Sequence, residues 1–135
     1  MFQVSRRVDY AVRLMIALSQ MPEGTRQTTR ILAKRTGISK PFLHKIAADL
    51  VKADLVNTYA GPTGGLELAR RPEDITMRHI IEAIERPIVL DPCTVKPETC
   101  RELAQQVHSY WETLQDAIVQ QLDATPLTAL GEGAF

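Results

Sequence analysis

Two sets of residues in this chain are capable of chemistry. Cys93 and Cys100 are its only thiols, in a proline-containing segment, 87–100. Reduced thiols can ligate a metal or close into a disulfide, and two of them alone fix neither outcome. The second set is basic: Arg30, Lys34, Arg35, Lys40, His44 and Lys45, with the hydroxyl of Ser39 among them. Such side chains donate to phosphate oxygens and to guanine acceptors. Shortly after comes Gly61-Pro62-Thr63-Gly64-Gly65. Pro62 presets its own φ, and glycine tolerates backbone that a β-carbon would block. Small residues at a hairpin tip let the backbone approach a surface closely. After a basic stretch, that surface is read as the sugar–phosphate edge of DNA. No Ser/His/Asp grouping, nucleotide-binding glycine loop or paired-carboxylate cleft emerges, so no enzyme is expected.

The overall charge of zero hides a split. Residues 1–71 carry 12 Lys+Arg against 5 Asp+Glu, and residues 72–135 carry 4 against 11. A basic half on an acidic scaffold suits a polyanion-binding head. A hydrophobic fraction of 44% supports a core. No apolar run is long enough to cross a membrane, and the N-terminus lacks a signal-peptide stretch, so a cytoplasmic protein without a membrane partner is expected.

Elements must position these groups. Residues 6–20 read as a helix with two apolar stripes, Val8, Ala11, Val12, Met15 and Tyr10, Leu14, Ala17, Leu18. A helix apolar on most sides lies between packed surfaces. Thr28 or Thr29 can cap a second helix that Gly37 ends. Ser39 offers the next N-cap, with Pro41 in the first turn. Leu43, Ile46, Ala47 and Leu50 then recur at helical spacing, placing Lys40, Phe42, His44 and Lys45 largely off the buried stripe. Two short helices joined at Gly37-Ile38 make a helix-turn-helix whose second helix reads DNA. Leu55, Val56 and Thr58 begin a strand that returns through Leu66 and Leu68, forming a wing. A further helix follows Pro72 and Thr76, with Ile80, Ile81, Ala83 and Ile84 inward. From about Arg101 to Leu122 a long helix carries Leu103, Val107, Tyr110, Trp111, Leu114, Ile118 and Leu122 at steps of three or four. One such stripe needs a partner surface, read here as a second copy of the chain. The expectation is a mainly α chain: a winged helix-turn-helix domain over 1–86, a sensor loop over 87–100, and a dimerisation helix with a C-terminal tail over 101–135, frayed from Gly131 to Phe135.

This pattern resembles the dimeric winged-helix transcription regulators that include IscR, NsrR and CymR. The resemblance runs from Val8-Asp9-Tyr10-Ala11-Val12 to Thr125-Pro126-Leu127. Its most specific stretches are Gly37-Ile38-Ser39 with Phe42-Leu43, the Gly61–Gly65 loop, and Asp74-Ile75-Thr76 running on to Ile84-Glu85. It implies a homodimer on palindromic promoter DNA, double-stranded, most simply as a repressor. Helix position nominates Ser39, Lys40, Phe42, His44 and Lys45 for the groove, with Phe42 against a thymine methyl or covering the wing. Thr58, Gly61, Pro62 and Thr63 form the wing contact, and Arg30, Lys34 and Arg35 meet phosphates. Ala60 departs from relatives that carry an arginine there, which weakens the expectation of direct readout by the wing.

The resemblance further implies an iron–sulfur cluster of the 2Fe–2S kind, sensing redox or iron–sulfur status. Relatives with a cluster use three cysteines, and the third falls here at Gln105. Cys93, Cys100 and His108 remain as candidate ligands, with Asp9 delivered from the partner subunit's first helix. Mixed sulfur, nitrogen and oxygen ligation would make such a site proton-sensitive. The plainer readings stay open: reduced thiols, a redox-sensing pair or a zinc site for the cysteines, an ordinary polar His108, and an Asp9–Arg13 pair at i, i+4. The rival to DNA reading is a protein-interaction or small-molecule-sensing module without a cluster.

Overall fold

A computed structural model describes residues 3–91, 93, 96–99 and 102–135. The first helix, α1 (Arg6–Ser19), buries Val8, Ala11, Leu14, Met15, Ala17 and Leu18. Tyr10, Val12 and Ile16 are half-buried around them. Apolar residues on most of its circumference force α1 into the centre, where other helices pack against it from several sides.

The next two helices form the helix-turn-helix. α2 (Thr29–Thr36) is capped by Thr28, whose hydroxyl accepts from the Ile31 amide at 3.3 Å, and ends at Gly37 with φ of 73°. α3 (Lys40–Lys52) begins after Ser39, which occupies the N-cap position without a side-chain capping bond. Pro41 in the first turn supplies the preset φ instead. Leu43, Ile46, Ala47 and Leu50 are buried, as the spacing predicts.

The wing follows. β1 (Val56–Tyr59) pairs antiparallel with β2 (Gly65–Leu68), with Val56 opposite Leu68 and Tyr59 opposite Gly65. Gln27 joins β2 through an isolated bridge: its amide donates to Leu66 O at 2.9 Å, and the Leu66 amide donates to Gln27 O at 2.8 Å. This bridge stitches the wing to the residue just before the α2 cap. The two adjacent glycines serve different needs. Gly65 has φ of 135°, and a β-carbon there would lie 2.4 Å from Gln27 O; one on Gly64 would lie 2.2 Å from Tyr59 O. Both are demanded by close backbone approach within the wing, and only Gly65 also by its dihedral.

After the wing, α4 (Met77–Ile84) opens with a reciprocal cap: the His79 amide donates to Thr76 Oγ1, and the Thr76 amide donates to His79 Nδ1. Ile80 and Ile84 are buried and Ile81 and Ala83 half-buried. The long α5 (Glu102–Asp123) and short α6 (Leu127–Gly131) complete the described chain. The end of α5 is tied to α4 by Arg78, which reaches Glu82 at 3.1 Å and Asp123 at 3.0 Å.

The residues that follow α5 return to the core. The Met77 amide donates to Thr125 O at 2.9 Å, and the Leu127 amide donates to Ile75 O at 2.8 Å. Leu127 is thereby fully buried in the same core as α1–α4. Residues 125–131 close the winged domain, because the strand-like pairing of 75–77 with 125–127 delivers α6 onto α1.

Gly65→Ala would press a β-carbon into the Gln27 backbone in a conformation alanine avoids. We expect a loss of about 2–3 kcal/mol in unfolding free energy, read by denaturant melts, with Gly133→Ala, where nothing lies near, costing less.

Candidate nucleic-acid interface and sensor loop

Ser39 before α3, Lys40, His44 and Lys45 on it, and Thr58, Gly61, Pro62 and Thr63 of the wing are exposed. A groove of about 530 Å³ is lined by His44 of α3, by Thr58 and Gly61 of the wing, and by Thr28 and Thr29. At the α3 N-terminus, amides and dipole favour an anion beside Ser39 and Lys40. Arg30 and Lys34 are exposed on α2 and form no ion pair among the described residues.

Two nominated side chains are occupied elsewhere. Arg35 turns back onto the C-terminal end of α1. Its guanidinium donates to Ala17 O at 3.3 Å and Gln20 Oε1 at 3.0 Å, and contacts Met21 Sδ. It satisfies a helix-terminal carbonyl, a structural use of a cation. Phe42 is half-buried, with its ring edge-on to Tyr10 at 5.2 Å, so it packs on α1 and not over a groove.

Sequence reasoning also passed over Arg26. Its guanidinium lies 3.4 Å from the ring centroid of Tyr59, the last residue of β1. The Tyr59 hydroxyl donates to Glu67 Oε1 at 2.6 Å across the hairpin. That bond to a carboxylate, helped by burial, raises the phenol above its ordinary pKa. Nothing local marks Arg26; only the Gln27–Leu66 bridge brings it to the wing.

The segment that begins at residue 87 is strapped to α5. The Leu90 amide donates to Gln115 Oε1 at 3.0 Å. Asp91, 6% exposed, uses both carboxylate oxygens: Oδ1 accepts from the Cys93 amide at 3.1 Å, and Oδ2 pairs with His108 Nδ1 on α5. The His108 bond lowers the Asp91 pKa against the opposing effect of burial. The same bond raises that of His108, again against burial, with the Asp91 and Glu112 charges adding to the rise. His108 Nε2 lies 3.8 Å from Glu112. Sequence reasoning did not single out Asp91; a lone aspartate in a loop carries no spacing signal.

The expected iron–sulfur donors can be tested against this geometry. Cys93 is in a disulfide. Cys100 lies outside the described residues. His108 commits Nδ1 to Asp91, and Asp9 holds Arg13 at 2.7 Å. Among the described residues no group of three or more His, Cys, Asp or Glu gathers as a metal site. A cluster requires thiolate ligands, which a disulfide-bonded Cys93 does not offer.

A reading helix, a flanking wing and a basic exposed face define a winged-helix DNA-binding protein. The chain matches the Rrf2 family, described as iron-dependent transcriptional regulator, over residues 4–133, and it belongs to that family. It is 32% identical over 131 residues to an Aquifex aeolicus protein assigned as an HTH-type transcriptional regulator, covering 93% of this chain and 89% of that one. It is 30% identical over 91 residues to the HTH-type transcriptional regulator NsrR of Halalkalibacterium halodurans, covering 67% and 62%. Among solved structures, CymR of B. subtilis superposes with a TM-score of 0.75 at 27% identity, covering 98% of each chain. T. potens IscR superposes with a TM-score of 0.75 at 30% identity, covering 99% and 89%. The family and these relatives are transcriptional regulators, not enzymes. No helix among the described residues is long and apolar enough to cross a membrane.

The Asp91–His108 pair gives stability a defined pH dependence. A raised His108 pKa contributes fully below the ordinary histidine value of 6.5 and is lost as pH rises through the higher folded value. A lowered Asp91 pKa contributes above 3.8 and is lost as pH falls through the lower folded value. We expect the melting temperature of His108→Gln to fall short of wild type most between about pH 4 and 6.5, the gap closing on either side.

Proposed function

We propose that this protein is a homodimeric transcriptional repressor that reads promoter DNA and senses redox state through the Cys93–Cys100 loop. Ser39, Lys40, His44 and Lys45 enter the major groove on α3. Thr58, Gly61, Pro62 and Thr63 lie along the adjoining backbone, and Arg30 and Lys34 hold phosphates. Two heads on one dimer meet successive half-sites, so their spacing must match the duplex repeat.

The dimer reading rests on α5. Val107 is 50% exposed and Tyr110 62% exposed, on the helix whose Trp111, Leu114, Ile118 and Leu122 are only half-buried. A stripe of that length left open in one chain fits the same stripe of a second copy, related by a two-fold axis.

The observation that carries the sensing reading is the position of Asp91. One carboxylate holds both the Cys93 backbone and the His108 ring of α5. A change at Cys93 therefore reaches the helix that would set head spacing through a single side chain. In a cytoplasm that keeps thiols reduced, the oxidised loop is the signalling state. A hydroperoxide supplies the oxidant: two thiols give one disulfide, while the peroxide O–O bond breaks and leaves as alcohol and water.

Two measurements test this reading. Fluorescence-anisotropy titration of a duplex selected by the protein should give several-fold different affinities for peroxide-treated and dithiothreitol-treated protein, and Cys93→Ser should abolish the difference. Equal affinities would remove the sensing claim and leave DNA binding intact; iron and visible absorbance recovered anaerobically would replace the thiol pair by a cluster. Val107→Glu with Tyr110→Glu should sediment as a folded monomer and lose at least about tenfold in affinity, as loss of one of two linked half-sites requires.

A further inference from the structure

The hairpin proposed to lie on DNA has the wrong charge. From Val56 to Ala69 its one ionisable acid or base of full charge is Glu67, and no Lys or Arg occurs. Its tip, Ala60 to Gly64, carries no charge at all. A surface that approaches a polyanion with an uncompensated carboxylate is repelled unless a cation arrives from elsewhere.

The fold delivers that cation. Arg26 precedes Gln27, whose two backbone bonds to Leu66 fix this strand to β2. The Arg26 guanidinium carbon sits 3.4 Å from the Tyr59 ring centroid, over the ring, and Tyr59 is the residue before the tip. A stacked guanidinium points its N–H donors sideways, in its own plane, away from the ring. Arg26 is exposed and forms no ion pair among the described residues. The acid that could neutralise it, Glu67, is held instead by the Tyr59 hydroxyl. Tyr59 thus supplies a platform for the cation with its ring and a restraint for the anion with its hydroxyl.

We propose that Arg26 is a DNA-contacting residue of the wing, its guanidinium poised on Tyr59 to fork a backbone phosphate beside the wing tip. This rests on the DNA-binding reading above and adds to it a residue that lies outside the helix-turn-helix and outside the hairpin sequence. Arg26 and Tyr59 act as one unit. Removing the ring frees the guanidinium to disorder, and removing the hydroxyl alone frees Glu67 to pair with Arg26.

The test compares wild type, Arg26→Ala, Arg26→Lys, Tyr59→Phe and Lys45→Ala in anisotropy titrations across a salt series. The probes are a duplex selected from a random pool by the wild-type chain and a scrambled duplex of the same length. Arg26→Ala should weaken binding to both probes about five- to tenfold and reduce the slope of log affinity against log salt by about one, the signature of one lost phosphate contact. Arg26→Lys should restore the slope but not the full affinity, because an ammonium cannot fork a phosphate. Tyr59→Phe should weaken binding without changing the melting temperature by more than a degree or two. Should Arg26→Ala bind with wild-type affinity and slope while Lys45→Ala is impaired, the proposal fails and the DNA-binding reading stands. Should wild type itself fail to bind either duplex, both fall.

Discussion

The position of the wing depends on a backbone contact that tolerates no side chain. Gly65 lies against the carbonyl of Gln27, and the Gln27–Leu66 bridge holds the two-stranded hairpin from its side. A lone hairpin is marginal in water. This one is anchored at its base by buried Val56 and Leu66 and at its side by Gln27. Because Thr28 next along caps α2, the same few residues set both where the wing stands and where the helix-turn-helix begins. A DNA reader needs that distance fixed, since groove and backbone are contacted together.

Cations in the basic half divide into two uses, and the division follows helix ends and burial. Arg35 spends its donors on the last carbonyls of α1, and Arg7 bridges to Asp49 at 2.8 Å, joining α1 to α3. Lys40, Lys45, Arg30 and Lys34 stay exposed. The charge asymmetry between the halves is thus partly structural. In the other half, Leu90 is bonded to Gln115 and Asp91 to His108, two polar ties to α5.

Much of the fold was legible. The stripes of α1 and α3, the Thr28 and Gly37 ends of α2, the Thr76 start of α4 and the glycine turn are all local signals, and the structure places them as read. The long α5 was legible from its repeat, though not the return of residues 125–131 into the core, because Leu127 looks like any apolar residue near a chain end. At the candidate site, the exposed face of α3 was readable from what its buried stripe excluded. Phe42 was not: an aromatic beside the stripe can turn either way, and Tyr10 decides. Asp9 satisfied the simplest option its spacing offered, a pair with Arg13.

Sequence alone determined the class of element at each stretch, the sign of charge on each half and the family resemblance, because caps, helical periodicity and glycine requirements act over a few neighbouring residues. Tertiary structure alone decided which polar groups meet. Arg35 finds Ala17, Asp91 finds His108, Arg26 finds Tyr59 and Thr76 finds Pro126 only after the chain has packed. Those partners are far apart in the chain, and no local propensity encodes them; they are fixed by how α1 is surrounded and by where a missing side chain lets two backbones touch.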